Sequence, residues 1–73
     1  MKQVDVEIKE EFIKLDSALK YANVVSSGGQ AKILILEGNV KVNGDICLQR
    51  GKKLYKNDKF VFEDTEYVIK NDY

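Results

Sequence analysis

The chain has 73 residues, of which 44% are hydrophobic, and its 12 basic and 12 acidic side chains cancel to a formal net charge of zero. This length predicts one small domain, residues 1–73, and the apolar share excludes a disordered chain. One cysteine and no histidine exclude a disulfide framework and a zinc site of the usual kind. We therefore expect no metal and no cofactor, and a reducing, cytoplasmic compartment.

The first predicted element is a strand, because Val4, Val6 and Ile8 alternate with charged residues. This alternating start lacks the apolar core of a signal peptide, and the chain contains no apolar run long enough to span a membrane. These features predict a soluble, intracellular protein.

A short helix follows, with apolar residues at helical spacing at Leu15, Ala18, Leu19 and Ala22. Asp16 or Ser17 is available to cap its amino terminus, and Asn23 is positioned to end it. Tyr21 falls off the apolar stripe, so its ring is expected to be exposed.

The second predicted helix has a start that exposes backbone amides. Ser27 and Gln30 have the spacing of a capping box, in which the Ser hydroxyl accepts from the Gln30 backbone and the Gln side chain reaches back. Gly28 and Gly29 between them carry no side chain, so a phosphate can approach the free N–H groups of this helix start. Lys32 adds a cation close by. The pattern favours binding of a phosphate polymer.

The same helix is predicted to have a broad apolar face, made of Ala31, Ile33, Leu34, Ile35 and Leu36. Gly38 supplies the left-handed residue that ends it. A strand at 40–42 then leads into Asn43-Gly44, a strong hairpin signal because both residues tolerate positive φ. The returning strand is expected from Asp45 to about Leu48.

Gly51 ends that strand, and a basic loop is predicted to follow. A second hairpin then begins at Phe60, turns at residues 63–66 and returns through 67–69. The fold class is therefore α+β, with two short helices packed on a small, mostly antiparallel sheet. We expect the first strand to close the sheet by pairing with the last hairpin.

Charge is distributed unevenly along the chain. Residues 50–59 contain five cations and one carboxylate, a net charge of +4, whereas residues 1–16 have a net charge of −2 and residues 60–73 one of −3. Such a basic run is either a solvated loop or a surface that binds a polyanion.

The helix–helix–hairpin order resembles the RNA-binding domain first recognised in the small-subunit ribosomal protein S-four, often called the α-L motif. Motifs at intervals over residues 13–62 carry the resemblance: Lys14-Leu15-Asp16 with Leu19, Gln30-Ala31-Lys32, Ile35, Gly38, Val40, Val42-Asn43-Gly44, Leu54 and Asn57-Asp58. The segments 27–32 and 50–55 are similar to the short standalone bacterial members of the YaaA and YbcJ type. One departure is that Gly28-Gly29 replaces the usual Ser-Arg, so the arginine contact of relatives has no counterpart here.

The resemblance implies a single-domain protein that binds ribosomal RNA or a ribosomal particle. We further expect a monomer without catalytic activity, with ribosomal proteins as additional partners. The candidate RNA-binding residues are Lys14, Ser27, Gly28, Gly29, Gln30, Lys32, Asn43, Arg50, Lys52, Lys53 and Tyr55. Four of these positions have structural alternatives: Gly28 and Gly29 could shape a turn, Asn43 is first a turn residue, and Tyr55 could pack on the sheet instead of stacking on a base.

The sequence offers less support for other functions. A sheet edge could pair with a protein partner, which would make the chain a protein–protein module. A ubiquitin-like sulfur carrier needs a Gly-Gly terminus, whereas this chain ends Lys70-Asn71-Asp72-Tyr73. The carboxylate pairs Glu10-Glu11 and Glu63-Asp64 are each adjacent in sequence, and we expect both to be solvated rather than catalytic. Cys47 is either a small filler or an exposed, inert thiol.

Overall fold

A computed structural model describes residues 1–71, which form two helices and seven strands and confirm the predicted α+β class. The elements in chain order are β1 (Lys2–Ile8), β2 (Phe12–Lys14), α1 (Leu15–Tyr21), α2 (Gly28–Leu36), β3 (Val40–Val42), β4 (Asp45–Ile46), β5 (Lys53–Tyr55), β6 (Lys59–Phe62) and β7 (Thr65–Asn71). Neither helix of this described part is long and apolar enough to cross a membrane.

Five strands form the main sheet, in the order β1-β7-β6-β3-β4. The pairs β3/β4, β3/β6 and β6/β7 are antiparallel, as predicted for a mostly antiparallel sheet. β1 pairs with β7, which confirms that the first strand pairs with the last hairpin. This pair is parallel, with Lys2 opposite Thr65 and Ile8 opposite Asn71.

A second, two-stranded ribbon pairs β2 with β5 in antiparallel register. The prediction that residues after Gly51 form a basic loop is therefore wrong in part, because Lys53–Tyr55 is a strand. Each strand of the ribbon has three residues, too short for a period of two to show in the sequence. Their pairing joins segments about forty residues apart, and only tertiary contact creates it.

The core lies between the helices and the inward face of the main sheet. Its buried side chains are Val6, Ile8, Leu15, Ala18, Leu19, Ala31, Ile35, Val40, Val42, Leu54, Phe60 and Ile69. The sequence predicts Leu19, Leu34, Ile35, Phe60 and Phe62 as core residues. Leu19, Ile35 and Phe60 are fully buried, whereas Leu34 and Phe62 are partly buried at the border of the core.

The predicted apolar face of α2 is broader than the buried one. Ala31 and Ile35 are fully buried, but Ile33 and Leu36 are 57% and 56% exposed. A helix that packs with one face leaves the side chains of its other face in solvent, and Ile33 borders an open cleft that Phe62 also lines. Ile33 and Leu36 therefore extend the apolar face of α2 beyond the part of it that is buried in the core.

Residues of positive φ end the helices and shape the first hairpin as predicted. Asn23 (φ 61°) and Gly38 (φ 78°) follow the two helices. Asn43 (φ 51°) and Gly44 (φ 94°) form a tight turn of the I′ kind, which suits the twist of the flanking strands. The returning strand β4 is shorter than expected, since it ends at Ile46 rather than near Leu48.

Candidate nucleic-acid interface

The start of α2 is capped by side chains. The hydroxyl of Ser27 accepts a hydrogen bond from the backbone N–H of Gln30 at 3.2 Å, as the capping-box spacing predicts. The Gln30 side chain reaches back one residue further than expected: its Oε1 accepts from the backbone N–H and the hydroxyl of Ser26, at 2.8 and 2.9 Å. These bonds hold the loop before the helix in place.

Gly28 and Gly29 are the first two residues of α2. The glycines of positive φ are Gly38 and Gly44, so an unusual backbone conformation is not what requires glycine at this helix start. A Cβ at Gly28 would meet nothing within 4 Å, and one at Gly29 would meet only the Ser27 hydroxyl, at 3.9 Å. Internal packing therefore leaves this surface open, and Lys32 is exposed one turn further along the helix.

The start of α1 is capped differently from the prediction. Lys14 is the N-cap residue, and no side chain caps the helix; the Asp16 carboxylate accepts only from the next N–H, of Ser17, at 2.7 Å. The carbonyl oxygens of the basic segment supply the missing acceptors. The Leu15 N–H donates to Lys52 at 2.9 Å, and the Asp16 N–H donates to Arg50 at 3.0 Å. These two bonds hold the backbone of Arg50 and Lys52 against the start of α1.

The ribbon has two chemically different faces. Ile13 and Leu54 are opposite each other, and Leu54 is fully buried. Because successive strand residues point to opposite sides, the remaining four side chains share the outward face. We call this the aromatic–lysine face, made of Phe12, Lys14, Lys53 and Tyr55.

Contacts within the aromatic–lysine face order it. The rings of Phe12 and Tyr55 are tilted by 47° with centroids 5.7 Å apart. The Lys53 Nζ lies 4.8 Å from the centroid of Phe12, a cation–π contact. Tyr55 packs on its neighbour and yet remains 44% exposed, so part of its ring is open to solvent. Phe12 was not among the predicted site residues, although its spacing of two from Lys14 is the signal that both face one side of a strand.

The side chain of Asn43 makes hydrogen bonds within the fold. Its Nδ2 donates to an Asp58 carboxylate oxygen at 3.2 Å, and its Oδ1 accepts from the Lys59 backbone N–H at 3.0 Å. These bonds support the alternative in which Asn43 is a turn residue first. A cleft between the hairpin and the basic segment is bordered by both Asn43 and Lys52. Cys47 also lines this cleft; its thiol is partly buried and donates to the Gln49 carbonyl at 3.6 Å.

Apart from Asn43 in the hairpin turn, the predicted site residues lie in two groups. Lys14, Arg50, Lys52, Lys53 and Tyr55 come together at the start of α1 and on the ribbon. Ser27 to Lys32 lie at the start of the other helix, where Gln30 borders a cleft with Val24 and Phe62. Both predicted carboxylate pairs are exposed. Among residues 1–71, no cluster of three or more His, Cys, Asp or Glu side chains is arranged to hold a metal ion.

Comparisons with known proteins identify the family of this chain. A family model described as "S4 domain" matches residues 6–70. The chain is also similar to the "Probable ribosome maturation protein RlbA" of Bacillus subtilis (strain 168), with 43% identity over 53 residues that cover 73% of this chain and 75% of the relative. Because the family model spans both helices, the hairpin and the ribbon, the chain belongs to the S4 domain family.

Proposed function

We propose that this protein binds structured RNA without catalysis, and that its target is ribosomal RNA or a ribosomal particle. The observation that carries the proposal is the aromatic–lysine face, which presents two lysines and two aromatic rings on one side of the β2/β5 ribbon. Lysines attract phosphates, and an exposed ring offers a surface on which an unpaired base stacks.

The basic residues act as positioning contacts. Arg50 and Lys52 are exposed while their carbonyl oxygens are bonded to the start of α1, so their backbone is ordered and their side chains are free to reach phosphates. Phosphate contacts supply affinity and orientation but little sequence information. Recognition of a particular RNA then rests on shape and on bases stacked against Tyr55.

The start of α2 is proposed as a second phosphate contact. The backbone there is open, because neither Gly28 nor Gly29 has a neighbour that a Cβ would displace. N–H groups at a helix start favour an anion, and Lys32 adds a charge of the right sign. An RNA helix that touches both groups of residues would bridge the starts of α1 and α2.

The setting of the proposal comes from the relative, whose printed name describes ribosome maturation. We propose that this chain acts as a monomeric single domain in the cytoplasm, on a ribosomal particle or its precursor, with ribosomal proteins as neighbours. The decisive test is crosslinking in cells followed by sequencing of the attached RNA, with a Lys14→Gln/Lys53→Gln variant in parallel. Ribosomal RNA should be enriched with the native chain and depleted with the variant. Equal recovery of ribosomal RNA by both proteins would overturn the assignment of this surface.

A further inference from the structure

The first strand has an open edge. β1 is seven residues long, and its one neighbour among residues 1–71 is β7. The Lys2 N–H donates to the Asp64 carbonyl at 2.9 Å, so the backbone groups of Lys2 point toward the β7 side. Backbone groups of successive strand residues point alternately to the two sides. Those of Gln3, Asp5 and Glu7 therefore point outward, and a further strand could pair with them.

A cleft accompanies this edge. It has a volume of about 320 Å³ and lies between β1 and the end of α1, lined by Val4, Asp5, Val6, Glu7, Tyr21 and Ala22. Val4 belongs to the inward-facing set of β1 but is 37% exposed, and Tyr21 is 58% exposed. The apolar layer of the fold thus continues beyond β1, where no described element covers it.

Charge decides which kind of strand fits. Asp5 and Glu7 are exposed on the outward face of β1, and a strand added at the edge would have its own outward side chains directly beside them. Across the β1/β7 pair, Glu7 lies opposite Lys70, whereas Asp5 lies opposite the uncharged Val68. Asp5 is therefore the carboxylate with the least local compensation, and basic side chains on the added strand would be favoured.

The same charges argue against two other occupants. A second copy pairing through its own β1 would bring Asp5 and Glu7 close to the same carboxylates, and like charges on adjacent strands are destabilising. RNA phosphates would be repelled by the same two side chains. The inward side chains of an added strand would meet Val4 and Tyr21, which favours apolar residues at alternate positions.

We propose that β1 is a strand-addition site for an extended segment of a partner protein in which basic and apolar residues alternate. Main-chain hydrogen bonds to Gln3, Asp5 and Glu7 provide affinity, and the alternating side chains provide selectivity. The cleft is lined by residues of β1 and the end of α1, and none of them is among the proposed RNA contacts.

The test uses a fluorescent seven-residue peptide of alternating valine and lysine, titrated with the full chain and followed by anisotropy. A peptide of alternating valine and glutamate is the matched control. The basic peptide should bind and the acidic one should not. In isotope-labelled protein, the amides of Gln3, Asp5 and Glu7 should shift and exchange more slowly with solvent when the basic peptide is added.

Two variants separate backbone pairing from charge. Asp5→Pro removes an outward N–H without removing a bond to β7. We expect it to weaken binding of the basic peptide by about tenfold or more. Asp5→Asn keeps that N–H and should lose only part of the affinity. Asp5→Lys/Glu7→Lys should reverse the preference toward the acidic peptide. This double variant replaces Asp5→Pro as the test if circular dichroism shows that the proline variant is unfolded. Equal binding of the two peptides to the native chain, or peptide-induced shifts confined to the aromatic–lysine face, would overturn the proposal.

Discussion

Asn43 and Asp58 form a side-chain hydrogen bond of 3.2 Å between the first hairpin and the turn before β6. The second carboxylate oxygen of Asp58 accepts from the Tyr55 backbone N–H at 2.7 Å. One partly buried carboxylate therefore joins the hairpin to the strand that carries Tyr55 and Lys53.

We expect Asp58→Ala to destabilise the fold by about 1–3 kcal/mol, because it leaves the Tyr55 N–H and the Asn43 amide without their acceptor. The free energy of unfolding is measured by urea denaturation. Asp64→Ala, in the turn between β6 and β7, removes an exposed carboxylate and should change stability little. Equal effects of the two substitutions would show that the link to Asn43 does not stabilise the fold.

Replacement of Gly28 and Gly29 by alanine should leave the fold intact. No packed neighbour would be displaced, and alanine favours a helix over glycine by up to about 1 kcal/mol per residue. RNA affinity should nevertheless fall, since the methyl groups hinder approach of a phosphate to the backbone. Unfolding and RNA binding are measured on the same preparation. If RNA affinity falls only as far as the loss of stability explains, the two glycines shape the turn and do not contact phosphate.

Lys52→Gln/Lys53→Gln should weaken binding to most RNAs alike. Each lysine that neutralises a phosphate releases counterions, so the slope of log affinity against log salt should flatten by roughly one for each lost contact, up to about two. The measurement is a series of binding titrations at increasing salt. Lys2→Gln, an exposed lysine on β1, is the control of matched chemistry. Unaltered affinity and slope in the double variant would make the basic segment a solvated surface.

Substitutions of Tyr55 distinguish stacking on an RNA base from packing within the protein. If its exposed ring holds a base, Tyr55→Phe should retain binding and Tyr55→Leu should lose about 1–3 kcal/mol of it. Because the ring also contacts Phe12 at a centroid distance of 5.7 Å, thermal unfolding of both variants is recorded alongside. A leucine variant that loses stability but binds folded RNA normally would assign Tyr55 to packing alone.

Deletion of residues 1–9 should destabilise the domain severely. It removes the whole of β1, including Val6 and Ile8, which are 3% and 8% exposed. Burial of two such side chains contributes roughly 3–6 kcal/mol, comparable with the total stability of a small domain. Circular dichroism and thermal melting should show a largely unfolded chain. A truncated protein that melts at the native temperature would refute a stabilising role for the β1/β7 pair.

Features determined by neighbouring residues could be predicted from the sequence. The Ser27 cap depends on a residue three positions away, and the Asn43-Gly44 turn depends on the φ preference of its own two residues. The α+β class and the period of β1 follow from the same local patterns. The family was also accessible, because its motifs are short and lie in a set order.

Tertiary structure decided the features that depend on contacts between distant segments. The cap of α1 is made by the carbonyls of Arg50 and Lys52, and no pattern near Leu15 announces acceptors so far along the chain. The β2/β5 pairing is of the same kind: it places Phe12 and Lys14 beside Lys53 and Tyr55, and so builds the candidate interface. The helical pattern likewise assigns Ile33 and Leu36 to an apolar face, but it does not show that both are exposed. Their burial depends on whether another layer covers that part of the face. Local preferences are encoded within a few residues, whereas pairing and burial require the whole chain to fold.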